Sequence, residues 1–246
     1  MNARLKFVLI TLAAVFAVGT TISLGLWQLS RAAQKQARQA AMDTQGSKPP
    51  LTAASLFTTR DPMEKLHQRA RLRGSWAPMN TLVYLDNRPM ASRVGFVVVM
   101  PFILEGGQGT LVVQRGWVPR GMGDRTQVPP IETAPGLVEI EGRMALPPSD
   151  LYALGDPTSG AIRQNLDLSQ FSTETGLKLF PLTLQQAGES TEGLLREWPV
   201  VNLGIEKNYG YAAQWFGMAL LFSLLYVWFQ IIRRFIGRSK DLTSDV

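Results

Sequence analysis

The sequence predicts a membrane protein in which two transmembrane α-helices flank a β-rich domain, barrel- or sandwich-like, that carries one short helix. Two stretches predict the helices. Phe7 to Ser30 ("FVLITLAAVFAVGTTISLGLWQLS") holds 24 residues without a charge, and Asn208 to Ile232 holds 25. Each exceeds the roughly 20 residues that a spanning helix needs. The third observation is the chain between them, where short β-branched and aromatic runs alternate with Gly, Pro and Asn, the pattern of strands and turns. The expected divisions are a first transmembrane helix (7–30), a polar helical linker (31–68), a β-rich domain (69–207), a second transmembrane helix (208–232) and a cytoplasmic tail (233–246).

The first apolar run is longer than the ~7–15 residues of a signal-peptide core, and no small-x-small cleavage site precedes Arg31. It reads as an uncleaved anchor. Arg4 and Lys6 lie before it, and Arg233, Arg234, Arg238 and Lys240 follow the second run. Positive flanks stay in the cytoplasm, so both termini are expected there. The central domain is then expected in a bacterial periplasm, outside the inner membrane. Residues 31–207 hold 19 basic and 17 acidic side chains, so the basic character sits on the flanks as much as in the domain. No nucleic-acid partner is expected.

Along the chain, "AAQKQARQAAMDTQ" (32–45) continues the first helix as a polar segment rich in good helix formers, and "GSKPP" breaks it. "LTAASLFTTRDPMEKL" suits a short helix or loop capped by Thr52 or Ser55. Strands are expected at "RARLRGSW", "TLVYLDNRP", "GFVVVMPFIL", "GTLVVQRGWVP", "LVEIEGRMAL", "AIRQNLDL", "LFPLTLQQA" and "EWPVVNL". "EGGQG" forms a hairpin loop. One helix is expected at "DLSQFSTETG", with Asp167 as its N-cap and Gly176 as its stop.

The chain has no cysteine and a single histidine, His67. Disulfides, thiolate metal sites and thiol relays are therefore unavailable, and His67 reads as a plain surface residue. There is no G-x-S-x-G elbow, H-E-x-x-H helix, Walker A loop or dinucleotide fingerprint, and "GMGDRT" and "GGQG" lack the strand-turn-helix setting such loops need. No catalytic residue and no metal site is expected, and the chain is not read as an enzyme.

The second span begins unlike a plain anchor, with Asn208, Tyr209, Tyr211, Gln214 and Trp215 in its first turns. Trp27, Tyr209, Tyr211 and Trp215 suit the aromatic belt of a membrane interface. The amides are harder to place there. Gln214 lies seven residues inside Lys207, about 10 Å at the helical rise, and Gln28 lies three inside Arg31. Lipid offers amides no hydrogen bond, so they should face a partner. Asn208, Tyr211, Trp215 and Met218 share one helical face, expected to meet Gln28. That face is either helix-helix glue or a wall offered to a cofactor or another subunit. Arg69, Arg71 and Arg73 line one face of a strand, either as a solvated surface or as an anion site. Arg115-Gly116-Trp117 suits a structural Arg beside a packed Trp, and Arg88-Pro89 and Gly95 suit turns.

Five stretches taken together resemble a known family. "LGLWQLSR" closes the first span. "LRGSW", "DNRPMASRVGFVVVMPF" and "LVVQRGWVPR" follow in order, and "YGYAAQWFGMAL" opens the second span. In register they are similar to the signatures of the surfeit locus protein one (Surf-one or Shy-one) family. The resemblance implies structural roles for Gly25, Gly74, Arg88, Gly95, Arg115, Gly116 and Trp117. It also implies a non-enzymatic assembly factor that assists insertion of haem a into the catalytic subunit of cytochrome c oxidase. That subunit, haem a synthase and membrane lipid are the implied partners. The implied haem- or partner-facing residues are Asn208, Tyr211, Gln214, Trp215, Trp27, Gln28 and Arg31. Members that bind haem carry His three residues before the signature Tyr; here Asn208 stands there. A membrane-anchored periplasmic scaffold for another complex is the competing reading.

Overall fold

The structure is a computed structural model that describes residues 2–58, 60–90, 92–121, 128–148, 160–190, 192–199 and 203–233. "GMGDRT" lies almost wholly outside the described residues, and so does the tail with Arg234, Arg238 and Lys240. The chain folds as two compact units: 41–200, and 1–40 together with 201–246.

In the 41–200 unit, strands β1 (Arg69–Trp76), β2 (Val83–Met90), β3 (Arg93–Leu104), β4 (Thr110–Pro119), β5 (Val138–Ala145), β6 (Ile162–Arg163) and β7 (Leu179–Gln186) form a single sheet. Its order is β1-β5-β7-β4-β3-β2-β6, and β1 also pairs with β3. The ring β1-β5-β7-β4-β3 therefore closes on itself as a five-stranded barrel. All of its pairings are antiparallel except β4 with β7. Closure removes the sheet edges there.

The 12 residues of β3 let it pair with two strands in succession. Phe102–Leu104 pairs with β1 to close the barrel, while Val97–Val99 pairs with β2. At the closing register a side chain on Gly74 would run into the Ile103 carbonyl and the Phe102 ring. Only glycine lets the strands approach there.

The barrel interior holds Leu72, Phe102, Leu104, Leu111, Val113, Ile140, Met144, Leu182 and Leu184. A second cluster on the outer face joins Val97, Val99, Trp117 and Leu166 to Phe171 of the short helix α3 (Leu168–Thr175). Buried from both sides, β3 and β4 read as nearly continuous apolar runs rather than alternating ones. By contrast β1 alternates, with Ala70, Leu72 and Gly74 inside and Arg69, Arg71 and Arg73 outside.

Caps fall where the local chemistry puts them. Thr52 caps the short α2 (Ala53–Leu56) in a reciprocal box with Ser55. Asp167 accepts from the Ser169 and Gln170 N–H groups, and Gly176 ends α3 in the left-handed region. Hydrogen bonds from the Ser169 hydroxyl and from those two N–H groups hold the Asp167 carboxyl below its usual range.

Two expected strands differ. "AIRQNLDL" supplies only two strand residues, because Asp167 diverts the chain into α3. The described part of "EWPVVNL" (197–199) forms no strand. Pro199 has no N–H to donate, and the Trp198 indole instead donates to the Gln186 carbonyl at 2.7 Å. The chain reaches β4 just before, through Leu195 and Trp117.

His67 is half-buried rather than a plain surface residue, and it takes a left-handed φ of 68°. Burial and then the neighbouring Arg143 guanidinium lower its pKa.

Two helices are long and apolar enough to cross a membrane. One is α1 (Ala3–Ser47). The other is α4 (Ile205–Tyr226), which continues as a π-helical stretch, Val227–Ile232. A buried core helix of a soluble protein would hide such sequences. Here Phe16 is 76% and Leu220 61% exposed, so the fold leaves these surfaces for an apolar surrounding. At 45 residues α1 is about 68 Å long, twice what the hydrocarbon core requires. Its second half is the polar segment.

Candidate functional site

The helix pair within the 1–40/201–246 unit packs along a seven-residue repeat. On α1 the shielded positions include Thr11, Ala14, Val18, Thr21, Gly25, Gln28, Ala32 and Lys35; on α4 they include Asn208, Ala212, Trp215, Phe216, Met218, Ala219, Ser223 and Tyr226. Spacings of three and four keep one seam facing a partner helix. Small residues let the backbones close in. Gly25 shows how tightly, since a Cβ there would sit 2.6 Å from the Phe216 ring. The Thr11 and Tyr226 hydroxyls meet across the seam at 2.9 Å.

Toward the polar end of α1, hydrogen bonding replaces apolar packing. Asn208 Nδ2 donates to Gln28 Oε1 at 2.7 Å, and Lys35 Nζ donates to Asn208 Oδ1 at 2.8 Å. The Asn208 amide thus bridges two turns of α1. Beside it opens a cavity of about 590 Å³, lined by Trp27, Gln28, Arg31, Gln34, Lys35 and Arg38 of α1 together with Leu203, Gly204, Lys207, Asn208 and Tyr211. Four of these residues are cations and none is an acid. The Arg31 guanidinium stands 5.7 Å from the Trp27 ring centre.

Of the candidate residues, the structure gathers Asn208, Gln28, Arg31, Trp27 and Tyr211 around this cavity. Trp215 lies on the seam. Tyr211 does not: at 54% exposure it stands off the face that carries Asn208, which runs through Ala212 and Ala219 instead. Gln214 is exposed, and Gln28 takes Asn208 as its partner. Sequence reasoning missed Lys35 and Lys207. The three-and-four spacing from Thr21 through Gln28 to Lys35 was the signal that could have found the first.

The other candidates lie in the barrel unit. Asn87 takes a left-handed φ of 59° at a bulge in β2, a conformation Asn tolerates better than most residues. The bulge puts Arg88 inside, where it donates to the Gln164 carbonyl at 2.7 Å while its own carbonyl accepts the Trp117 indole N–H. Gly95 leaves room for the Trp117 ring.

Arg115 is wholly buried. It donates to Thr133 Oγ1 at 2.7 Å, the Glu132 carbonyl at 2.9 Å and Glu192 Oε1 at 2.7 Å, and it stacks 4.4 Å from the Trp76 ring. Arg196 closes the cluster through the Arg115 carbonyl and Glu192 Oε2. A side chain on Gly116 would strike Leu194. These residues pin two loop segments to β4. On the outer face of β1, Arg71 pairs with Glu141 and Glu139, and Arg73 with Glu105. Carboxylates already offset those guanidiniums.

The architecture is that of a closed β-barrel domain attached to a pair of candidate membrane helices with a polar, cationic end. The SURF1 family model matches residues 15–220, which takes in the barrel and most of each helix, and the chain belongs to that family. The family is known for cytochrome oxidase assembly and is one of assembly factors rather than catalysts. No curated protein matches the chain.

Proposed function

We propose that the protein assists haem a insertion into the catalytic subunit of a haem-copper terminal oxidase. It does so from the periplasmic side of a bacterial inner membrane, by docking its second helix against that subunit. The observation that carries the docking is Gln214. It is exposed on α4 at a depth of about 10 Å from Lys207, on the same side as Tyr211. Lipid cannot satisfy its amide there, whereas a helix of another membrane protein can.

A resident haem a would need a protein ligand for its iron. Iron takes imidazole, thiolate, thioether or phenolate ligands. Of these the cavity lining offers only the Tyr211 phenol, half exposed and off the helix seam, and the Asn208 amide is engaged at both its ends. The cations would suit propionates, but the lining lacks the imidazole, thiolate or thioether by which most haem proteins hold the iron. Haem is therefore handled at the docked subunit and not held by this chain.

Deleting the gene should abolish activity of the terminal oxidase while other membrane complexes stay intact. Loss of several unrelated complexes would favour a general scaffold. Gln214→Leu should insert normally yet lower oxidase activity partially, because one interhelical hydrogen bond contributes only about 0.6–2 kcal/mol. Full activity in that variant would remove the docking reading. A reporter active only in the periplasm should work when fused after Gly160, and a cytoplasmic one after Val246. The reverse pattern would place the barrel on the wrong side for this function.

A further inference from the structure

We propose that the cavity at the polar end of the helix pair binds the phosphodiester headgroup of an anionic membrane lipid. This goes beyond the oxidase reading and stands on separate observations. Arg31 is the first charge after the uncharged run of α1, and Lys207 is the last before that of α4. Both lie at the boundary where headgroup phosphates sit, and both line the same cavity with Lys35 and Arg38.

Among the described residues none of the four cations forms an ion pair. In the stretches 2–40 and 203–233 the only acid is Glu206, and it is not part of the lining. The contrast with β1 is direct, because Arg71 and Arg73 have carboxylate partners. Four like charges around one cavity repel each other, and an anion between them relieves that repulsion.

Size and polarity point to a headgroup. A volume of about 590 Å³ exceeds what a bare ion fills. Beside the cations the lining holds Trp27 and Tyr211, both about half exposed, which suit the acyl-glycerol boundary. Lys35 donates to a neutral amide and keeps two further N–H donors for a phosphate oxygen. Arginines add planar N–H pairs that match phosphate geometry.

The test uses the full chain in nanodiscs of phosphatidylcholine, with and without phosphatidylglycerol and cardiolipin, and native mass spectrometry of the detergent-purified protein. The parent should retain anionic lipid. Arg31→Gln combined with Arg38→Gln should bind it roughly ten- to thirty-fold more weakly, as removal of two near-surface cations implies. Arg4→Gln with Lys6→Gln, at the far end of α1, should leave retention unchanged. Inorganic phosphate at millimolar concentration should not displace the lipid, since it lacks the diester and its acyl chains. Equal retention by the Arg31/Arg38 variant, equal loss in the Arg4/Lys6 variant, or displacement by phosphate would each overturn the proposal. So would a parent that carries haem and no lipid. Oxidase activity is scored separately, so failure here leaves the docking proposal to its own test.

Discussion

Replacing Arg115 with Leu is expected to destabilise the barrel domain by roughly 3–5 kcal/mol, the range for breaking one side of a buried charge pair. The guanidinium is wholly buried and supplies hydrogen bonds to Thr133, Glu132 and Glu192. Leucine fills part of the volume but leaves the Glu132 carbonyl and the Thr133 hydroxyl without this donor. It also leaves Glu192 to Arg196 alone, and Arg196 is already below its ordinary pKa, chiefly through burial. Lysine should recover only part of the loss, because a single ammonium cannot span acceptors arranged for a planar fork. Thermal unfolding of the full chain, followed by tryptophan fluorescence, would report on Trp76 and Trp117 beside the lesion. A loss below about 1 kcal/mol, the range of an exposed pair, would mean that the cluster is solvated.

That cluster also marks where the sequence stops being readable. The strands were legible because their runs are short and flanked by Gly, Pro and Asn, and β1 showed its inside and outside by strict alternation. Barrel closure was not legible, since it depends on a pairing between Gly74 and Leu104, 30 residues apart. Nothing local distinguishes that pairing from the edge of a sandwich. Arg115 could be read as structural beside a packed Trp. Its partner Glu192 lies 77 residues away on a loop, and no spacing rule connects them.

In the helix pair the polar residues were legible as exceptions within apolar runs, but their facing was not. On a helix, positions i+3 and i+4 lie about 60° and 40° to either side of residue i, and spacing alone does not choose between them. The face drawn through Asn208 and Tyr211 therefore turned out to pass through Asn208 and Ala212 instead. Lys35 was hidden for another reason. A charge five residues beyond the presumed membrane edge at Ser30 reads as a solvated residue of a linker, yet it donates to the very amide that occupies the position of interest.

Asn208→His is expected to convert a chain that holds little or no haem into one that co-purifies with it. The position is already built for an oriented ring. Gln28 Oε1 accepts from the Asn208 amide at 2.7 Å, and an imidazole N–H placed there would find the same acceptor. Such a bond fixes which ring nitrogen is protonated and leaves the other one available to a metal. The change also releases Lys35 from the amide oxygen, so that its ammonium can turn toward the cavity. The measurement is the optical spectrum and haem content of both proteins purified from cells that make haem a. The variant should carry several-fold more haem, with the spectrum of an axially ligated iron. Gln28→Leu added to it should reduce that gain, because the ring loses its orienting acceptor while the ligand itself remains. If the parent already binds haem a as well as the variant does, position 208 is not where the iron is held. Tyr211, His67, a methionine outside the cavity or a partner subunit would then supply the ligand, and the amide chain of Gln28, Asn208 and Lys35 would be left with the packing role alone.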